Sequence, residues 1–170
     1  MKALIFFLGF LSFSFDILSQ ELLNMPLRTL NGSMITVDSM VSSRKGIILV
    51  FWEPMNTTCY NNLENLQEAW SSNIKSLGVD LVAICVDREG NYAKLKPLVN
   101  GKSWDFDVFV DDNGGVKRLL GINTIPYTIL LDENKEVKCR YSGYCSGDEV
   151  QLCNKIEHCL KTSGTLKDLK

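Results

Sequence analysis

Residues 46–59 read GIILVFWEPMNTTC, and this stretch decides the fold. Gly46–Trp52 is a nearly unbroken apolar run, which is typical of a strand covered on both faces in a parallel sheet. The residues that follow Trp52 are mostly polar and end this run, and a helical pattern begins at Thr57. The sequence therefore predicts a buried strand, a short turn and a helix that carries Cys59 in its first turn.

The helix is predicted over Thr57–Leu77. Its apolar residues recur at steps of three and four, and Gly78 follows as a stop signal. They are Leu63, Leu66, Trp70, Ile74 and Leu77. Cys59 lies four residues before Leu63 and so belongs to the buried face of the helix.

Elements on both sides of this unit complete an α/β pattern. Pro26–Leu30 and Ser33–Val37 alternate in polarity around Asn31-Gly32, which indicates an N-terminal β-hairpin, and residues 38–45 are expected to be a polar connection. Strands alternating with helices, then a hairpin and a final helix, predict a mixed sheet with helices on both faces. Further strands are predicted at Val79–Val86, Phe106–Val110, Tyr127–Leu131 and Glu136–Tyr141, and further helices at Asn91–Val99, Val116–Leu120 and Asp148–Leu160.

The N-terminal residues 1–19 are typical of a secretory signal peptide, because Lys2 precedes an apolar block and the small Ser19 ends it. The block is shorter than the ~20 residues that a membrane span needs, and Asp16 interrupts it. We expect a mature chain without a membrane span in the periplasm or outside the cell. A retained anchor helix is the alternative. One domain is expected over residues 24–162, followed by a flexible tail at 163–170.

The six cysteines fit such a compartment, because an even number in a secreted chain permits disulfides. They are Cys59, Cys85, Cys139, Cys145, Cys153 and Cys159. The last four can pair in three ways, and the sequence does not choose among them. No pair has the two-residue spacing of a zinc knuckle, so we expect neither a metal nor a cofactor. A formal net charge of -2, without a long basic run, argues against a nucleic-acid partner.

Three features together resemble the TlpA/ResA-like (redoxin) group of exported thiol-disulfide oxidoreductases. They are Phe51-Trp52 with a cysteine seven residues beyond Trp52, the pair Ile125-Pro126 entering a strand, and Tyr141-Ser142-Gly143 at the end of the hairpin. The resemblance spans roughly residues 24–160. It implies a thioredoxin-like three-layer sandwich, and extracytoplasmic protein or peptide thiols and disulfides as partners.

The resemblance also implies a substrate groove. In the family the proline is cis and faces the redox helix, so Pro126 would lie opposite Asn56 and Cys59. Ile125 would line the groove beside Pro126, and Gly143 would form its third wall.

The sequence departs from the family at the nucleophile. Members have Trp-Cys-x-x-Cys where this chain has Met55-Asn56-Thr57-Thr58-Cys59, and Val50 replaces a residue that is often polar or acidic. A dithiol cycle needs one sulfur to attack and a second to resolve the mixed disulfide. We therefore predict a protein of thiol-disulfide redox type with weak or no dithiol oxidoreductase activity. The alternative is a non-catalytic module that binds peptides in the groove.

Asn56 and the six cysteines are the remaining residues to interpret, and some of the cysteines have more than one interpretation. Asn56 is predicted to cap the helix, and Cys59 is either a small buried core residue or a residual thiol that the helix N-terminus activates. Cys145, two residues after Gly143, is either a structural half-cystine or a relocated partner for Cys59. Cys85 is predicted to lie in the core. Cys139 is predicted to point inward on the strand face that also carries Val137 and Tyr141, and Cys153 and Cys159 are core residues or disulfide staples.

Overall fold

The computed structural model describes residues 20–41, 45–87, 92–161 and 167–169. It shows one mixed sheet with helices on both faces, so the predicted α/β, thioredoxin-like architecture is confirmed. The predicted signal peptide, residues 1–19, lies outside the described residues. No helix within the described ranges is long and apolar enough to cross a membrane.

Eight strands form the sheet among the described residues, in the spatial order β2-β1-β5-β4-β3-β6-β7-β8. Their bounds are β1 Pro26–Thr29, β2 Met34–Thr36, β3 Gly46–Trp52, β4 Val79–Cys85, β5 Asp107–Val110, β6 Tyr127–Asp132, β7 Val137–Ser142 and β8 Lys167–Leu169. The helices are α1 Val37–Val41, α2 Thr57–Asn73, α3 Tyr92–Asn100, α4 Gly115–Leu119 and α5 Asp148–Lys161, with a 3₁₀ turn at Lys75–Leu77. The predicted N-terminal hairpin is confirmed as β1 and β2, which pair antiparallel.

Strand β3 lies in the middle of the sheet, and all seven of its residues are buried. It runs parallel to β4 and antiparallel to β6. Ile48, Val50 and Trp52 pack on the face covered by α2, α3 and α5, and the alternate residues pack on the face covered by α1 and α4. Both faces of β3 are therefore covered, as the unbroken apolar run predicted.

Helix α1 was not predicted, because residues 38–45 were taken as a polar connection. Val37, Met40 and Val41 are buried, and this spacing of three and four residues faces one side of a helix. The Thr36 hydroxyl oxygen accepts a hydrogen bond from the Ser39 N–H at 3.2 Å, as in a helix cap. Five residues are too few for a periodicity signal to stand out in the sequence.

A disulfide joins Cys139 of β7 to Cys159 of α5, whereas Cys145 and Cys153 are free, so none of the three complete pairings of the four cysteines is formed. Cys139 is buried as predicted, but the prediction that it shares a strand face with Val137 was wrong. The register with β6 shifts between Leu130 and Leu131, so Val137 turns to the opposite face. Such a bulge cannot be seen in the alternation of one strand, because it depends on the partner strand.

The C-terminal tail was expected to be flexible, and three of its residues form β8 parallel to β7. An edge strand presents a row of unpaired backbone groups, which a passing segment can satisfy. The segment thus takes its structure from the exposed edge of β7 and not from its own composition.

The disulfide predicts a measurable stability difference. In Cys159→Ser the cross-link over a separation of 20 residues is lost, and we expect the free energy of unfolding to fall by about 3 kcal/mol because the unfolded chain gains freedom. Urea unfolding under non-reducing conditions measures it. The matched control is Cys145→Ser, which removes an exposed free thiol and should change stability by less than about 0.5 kcal/mol. Equal unfolding midpoints for the two variants would contradict the cross-link.

Candidate functional site

The sheet register brings three chain segments to one end of the sheet. Phe51, near the end of β3, pairs with Tyr127 at the start of β6, and Tyr127 pairs with Ser142 at the end of β7. The turn after β3, the Ile125-Pro126 pair before β6 and Gly143 after β7 therefore lie side by side. The resemblance would place the substrate groove at this end of the sheet.

Asn56 is the N-cap of α2, as predicted. Its backbone is extended, with φ -105° and ψ 106°, and its side-chain oxygen accepts the Cys59 N–H at 3.3 Å. The Asn56 N–H donates to the Glu53 carbonyl at 3.2 Å, which closes the turn between β3 and α2. The amide thus satisfies a backbone donor of the first helical turn, which otherwise has no partner inside the helix.

Cys59 is fully buried and is not disulfide-bonded. Burial raises the pKa of its thiol from 9.0 to about 11, and the Glu53 carboxylate acts in the same direction, while a hydrogen bond from the Glu53 backbone opposes them. The partial positive charge of a helix N-terminus is insufficient here, because desolvation has the larger effect. The residual thiol is therefore protonated and inaccessible in the closed structure at neutral pH.

Cys85 lies in the same core cluster as Cys59, on β4 next to Trp52 of β3. Burial raises the pKa of the Cys85 thiol to about 12, so it too is a protonated core residue. The prediction that Cys85 belongs to the core is confirmed.

The Ile125–Pro126 peptide bond is cis, as the resemblance implied. The Pro126 carbonyl accepts a hydrogen bond from the Gly143 N–H at 2.8 Å, and Gly143 has a φ of +81° that favours glycine. Across the described part of the chain, no hydrogen bond engages the backbone N–H or C=O of Ile125. Ile125 therefore offers an unpaired donor and acceptor beside the α2 N-terminus.

Cys145 is exposed and free on the loop between β7 and α5. Its N–H donates to the Asp148 carboxylate at 2.7 Å. The neighbouring Tyr144 hydroxyl accepts a hydrogen bond from the Asn65 amide of α2 at 2.6 Å. Asn65 lies six residues beyond Cys59, about 9 Å along the helix axis. The loop is thus anchored to α2 well beyond its first turn, and no bond joins the two thiols, so the relocated-partner hypothesis gains no support from the contacts present.

A second tyrosine holds the same loop. The Tyr141 hydroxyl donates to Asp148, and this hydrogen bond is the main reason why the pKa of Asp148 lies below its usual value. Burial first, and then the hydrogen bond to Asp148, raise the pKa of Tyr141 to about 12. The third wall of the groove is therefore fixed by two tyrosines that bond to neighbouring polar groups.

Asn62 was missed by the sequence analysis. Its side chain is 2% exposed, one helical turn beyond Cys59, and its Nδ2 has no hydrogen-bond partner among the described residues. The only available signal was its position, three residues after Cys59 and next to Leu63 on the buried stripe. A polar residue beside an apolar stripe usually marks the boundary between the buried and the exposed face of a helix.

Among the described residues, no group of three or more histidine, cysteine, aspartate or glutamate side chains is placed to hold a metal ion. Cys139 and Cys159 are used by the disulfide, and Cys59, Cys85 and Cys153 are separate buried thiols. The chemistry that this site offers is thus that of one buried thiol below a capped helix.

Comparison with known proteins gives a family and a fold. Residues 18–146 match the AhpC/TSA family. ResA, a thiol-disulfide oxidoreductase of Oceanobacillus iheyensis, is 27% identical over 107 residues, which are 63% of this chain and about half (54%) of that relative. The solution structure of an uncharacterised thioredoxin-like protein from Porphyromonas gingivalis has a TM-score of 0.71 at 27% identity, covering 84% of this chain and 93% of that one. A secreted disulfide oxidoreductase of Mycobacterium tuberculosis has a TM-score of 0.65 at 16% identity, covering 81% and 98%.

The Asn56 cap predicts an effect on stability that does not depend on thiol-disulfide exchange. Asn56→Ala removes the side-chain acceptor for the Cys59 N–H, and we expect the free energy of unfolding to fall by about 1 kcal/mol. Asn56→Asp keeps an acceptor and should stay within about 0.5 kcal/mol of the parent at neutral pH. Thermal or urea unfolding measures both, with the exposed Thr57→Ala as control. An unchanged midpoint in Asn56→Ala would show that the cap contributes nothing.

Proposed function

This chain belongs to the AhpC/TSA family of thioredoxin-fold proteins, and from that premise we propose that it is an extracytoplasmic protein of thiol-disulfide redox type with weak or no dithiol oxidoreductase activity. Asn56 replaces the attacking cysteine, and the remaining Cys59 is buried. The proposal rests on one observation: the helix cap uses a carboxamide where an exposed thiolate would be required.

A lone Cys59 can perform only half of the exchange cycle. Its thiolate can attack a disulfide, forming one mixed disulfide and releasing the other half of the client as a thiolate. Resolution then needs a second sulfur, and Cys145, which is exposed, makes no bond to Cys59. An external thiol would have to complete the cycle, so any turnover is expected to be slow.

An extracytoplasmic location is supported by two observations besides the sequence of residues 1–19. The Cys139–Cys159 disulfide belongs to the kind of cross-link that persists in oxidising compartments. A similar solved structure is that of a secreted disulfide oxidoreductase. The location remains part of the proposal.

The activity is tested by restoring the missing sulfur. We expect the parent protein to reduce insulin disulfides in the presence of dithiothreitol no faster than Cys59→Ser does. Asn56→Cys should be at least tenfold faster than the parent, because it supplies an attacking sulfur at a helix N-terminus with Cys59 as the resolving thiol. Asn56→Ser is the matched control, since it caps the helix without a sulfur. Rapid turnover by the parent that disappears in Cys59→Ser would overturn the proposal.

A second candidate function is non-catalytic peptide binding in the groove. The observation that favours it is the unpaired backbone of Ile125 beside the cis-Pro126 bond. An extended peptide can add to such an edge by strand-like hydrogen bonds without any sulfur chemistry. Asn56 and Gly143 would line the same groove.

Peptide binding is tested with a cysteine-free probe. A fluorescein-labelled ten-residue peptide of alternating valine and threonine should bind the parent protein in a polarisation assay. The same peptide with N-methyl groups at alternate residues should bind at least tenfold more weakly, because it cannot donate to the Ile125 carbonyl. Methylation on the opposite set of residues is the control. Equal binding of all three peptides would exclude strand-like pairing.

A further inference from the structure

Three buried side-chain donors have no hydrogen-bond partner among the described residues: Trp52 Nε1, Trp104 Nε1 and Asn62 Nδ2, of which only the last belongs to an amide. Asn62 is 2% exposed, and its Nδ2 donates to nothing in the described ranges. Buried amide donors are nearly always paired in native proteins, and exceptions call for an explanation such as a catalytic role or a partner that appears in another state. Asn62 is therefore a candidate for a role at the site.

Helix geometry directs Asn62 towards Cys59. Residues three apart on an α-helix are neighbours on one face, about 5–6 Å apart at Cβ. Helical side chains lean towards the N-terminus, so the Asn62 amide points back over the turn that carries Cys59. Both side chains are buried, which leaves little solvent to compete for the donor.

We propose that Asn62 is a positioning residue for Cys59, and that its Nδ2–H donates a hydrogen bond to the Cys59 sulfur once the thiol has lost its proton. In the structure Asn62 Nδ2 makes no hydrogen bond to the Cys59 sulfur, so the proposed bond requires the amide to turn towards the ionised thiol. The thiolate is a strong acceptor. The inference rests on the proposed residual thiol at Cys59, and it explains why an otherwise costly buried donor sits one turn away.

The proposed step consists of the ionisation of Cys59 followed by a thiol-disulfide exchange. The Cys59 proton passes to a solvent base, the thiolate accepts the Asn62 hydrogen bond, and attack on a client disulfide forms one S–S bond and breaks another. The charged or titratable groups recorded at Cys59 are Glu53, which is paired with Lys117 at 3.5 Å, and the phenol of Tyr60 and thiol of Cys85. Lys102 Nζ lies 4.9 Å from the centre of the Tyr60 ring. Among the described residues no cation is recorded as acting on the Cys59 thiol itself, so a neutral donor is the available source of stabilisation.

The test measures alkylation of Cys59 by iodoacetamide between pH 8 and 9.5, quantified by mass spectrometry of the Cys59 peptide in the full chain. In this range the rate should rise with pH, because the thiol ionises only near pH 11. In Asn62→Leu, a change of similar size, we expect a rate about tenfold lower at each pH, since loss of one hydrogen bond to a charged group corresponds to about one pKa unit.

A separate readout distinguishes positioning from folding. The Cys59 amide bonds to the Asn56 carbonyl at 3.0 Å, so its hydrogen exchange reports the opening of the first turn of α2. Exchange at this amide should be unchanged in Asn62→Leu. If alkylation and exchange both rise in Asn62→Leu, Asn62 acts only by holding the turn closed, and the proposal is wrong.

Two kinds of control accompany this test: a variant of a neighbouring residue in α2, and the Cys85 thiol of the same protein sample. Asn61→Leu changes the exposed neighbour and should leave Cys59 alkylation within twofold of the parent. The smaller Asn62→Ala should repeat the loss seen with leucine, and alkylation of the buried Cys85 should not change. Unaltered Cys59 alkylation in both Asn62 variants overturns the inference. Dithiol turnover by the parent would instead overturn the proposed function and leave this measurement valid.

Discussion

The packing of α2 across the buried strand β3 is the constraint on which the rest of the structure depends. β3 contributes six buried side chains to two core clusters, and α2 covers one of its faces with Cys59, Leu63, Leu66 and Trp70. Burying these apolar side chains is the dominant favourable contribution to folding. The N-terminus of α2 is thereby held at the end of the sheet, where β6 and β7 bring Pro126 and Gly143. Whatever this protein does in the groove follows from that placement.

A helix end held in this way must satisfy its backbone donors, and Asn56 does so with a neutral amide. In a dithiol protein the same position carries a reactive sulfur, which the helix terminus keeps ionised. Exchanging that sulfur for a cap removes reactivity and retains stability, a trade that proteins make readily when chemistry is not required. Cys59 then has no exposed partner, and its burial under the turn raises its pKa. The cap follows from Asn56, whereas the burial of Cys59 follows from its place on the apolar stripe of α2.

The sequence predicted the parts of the fold that depend on local patterns. The apolar run of Gly46–Trp52 and the stripe along α2 placed the central unit, and the Asn56 cap followed from the preference of asparagine for that position. Two features could not be predicted: the pairing of Cys139 with Cys159, and the bulge that turns Val137 to the opposite face. Both depend on how β6, β7 and α5 pack together, and no local sequence pattern specifies that packing. Asp111 shows the same limit: its carboxylate is buried and accepts the N–H groups of Gly115 and Lys117, an arrangement that no local pattern indicates.

The Ile125–Pro126 bond is cis, and among the described residues no hydrogen bond is recorded to the Ile125 backbone. A half-buried backbone of this kind can pair with water or with an extended peptide, and the proposed peptide binding takes the second partner. Asn62, one helical turn beyond Cys59, adds a buried side-chain donor that has no partner among the described residues. The proposed peptide binding rests on the first of these observations, and the proposed stabilisation of an ionised Cys59 rests on the second.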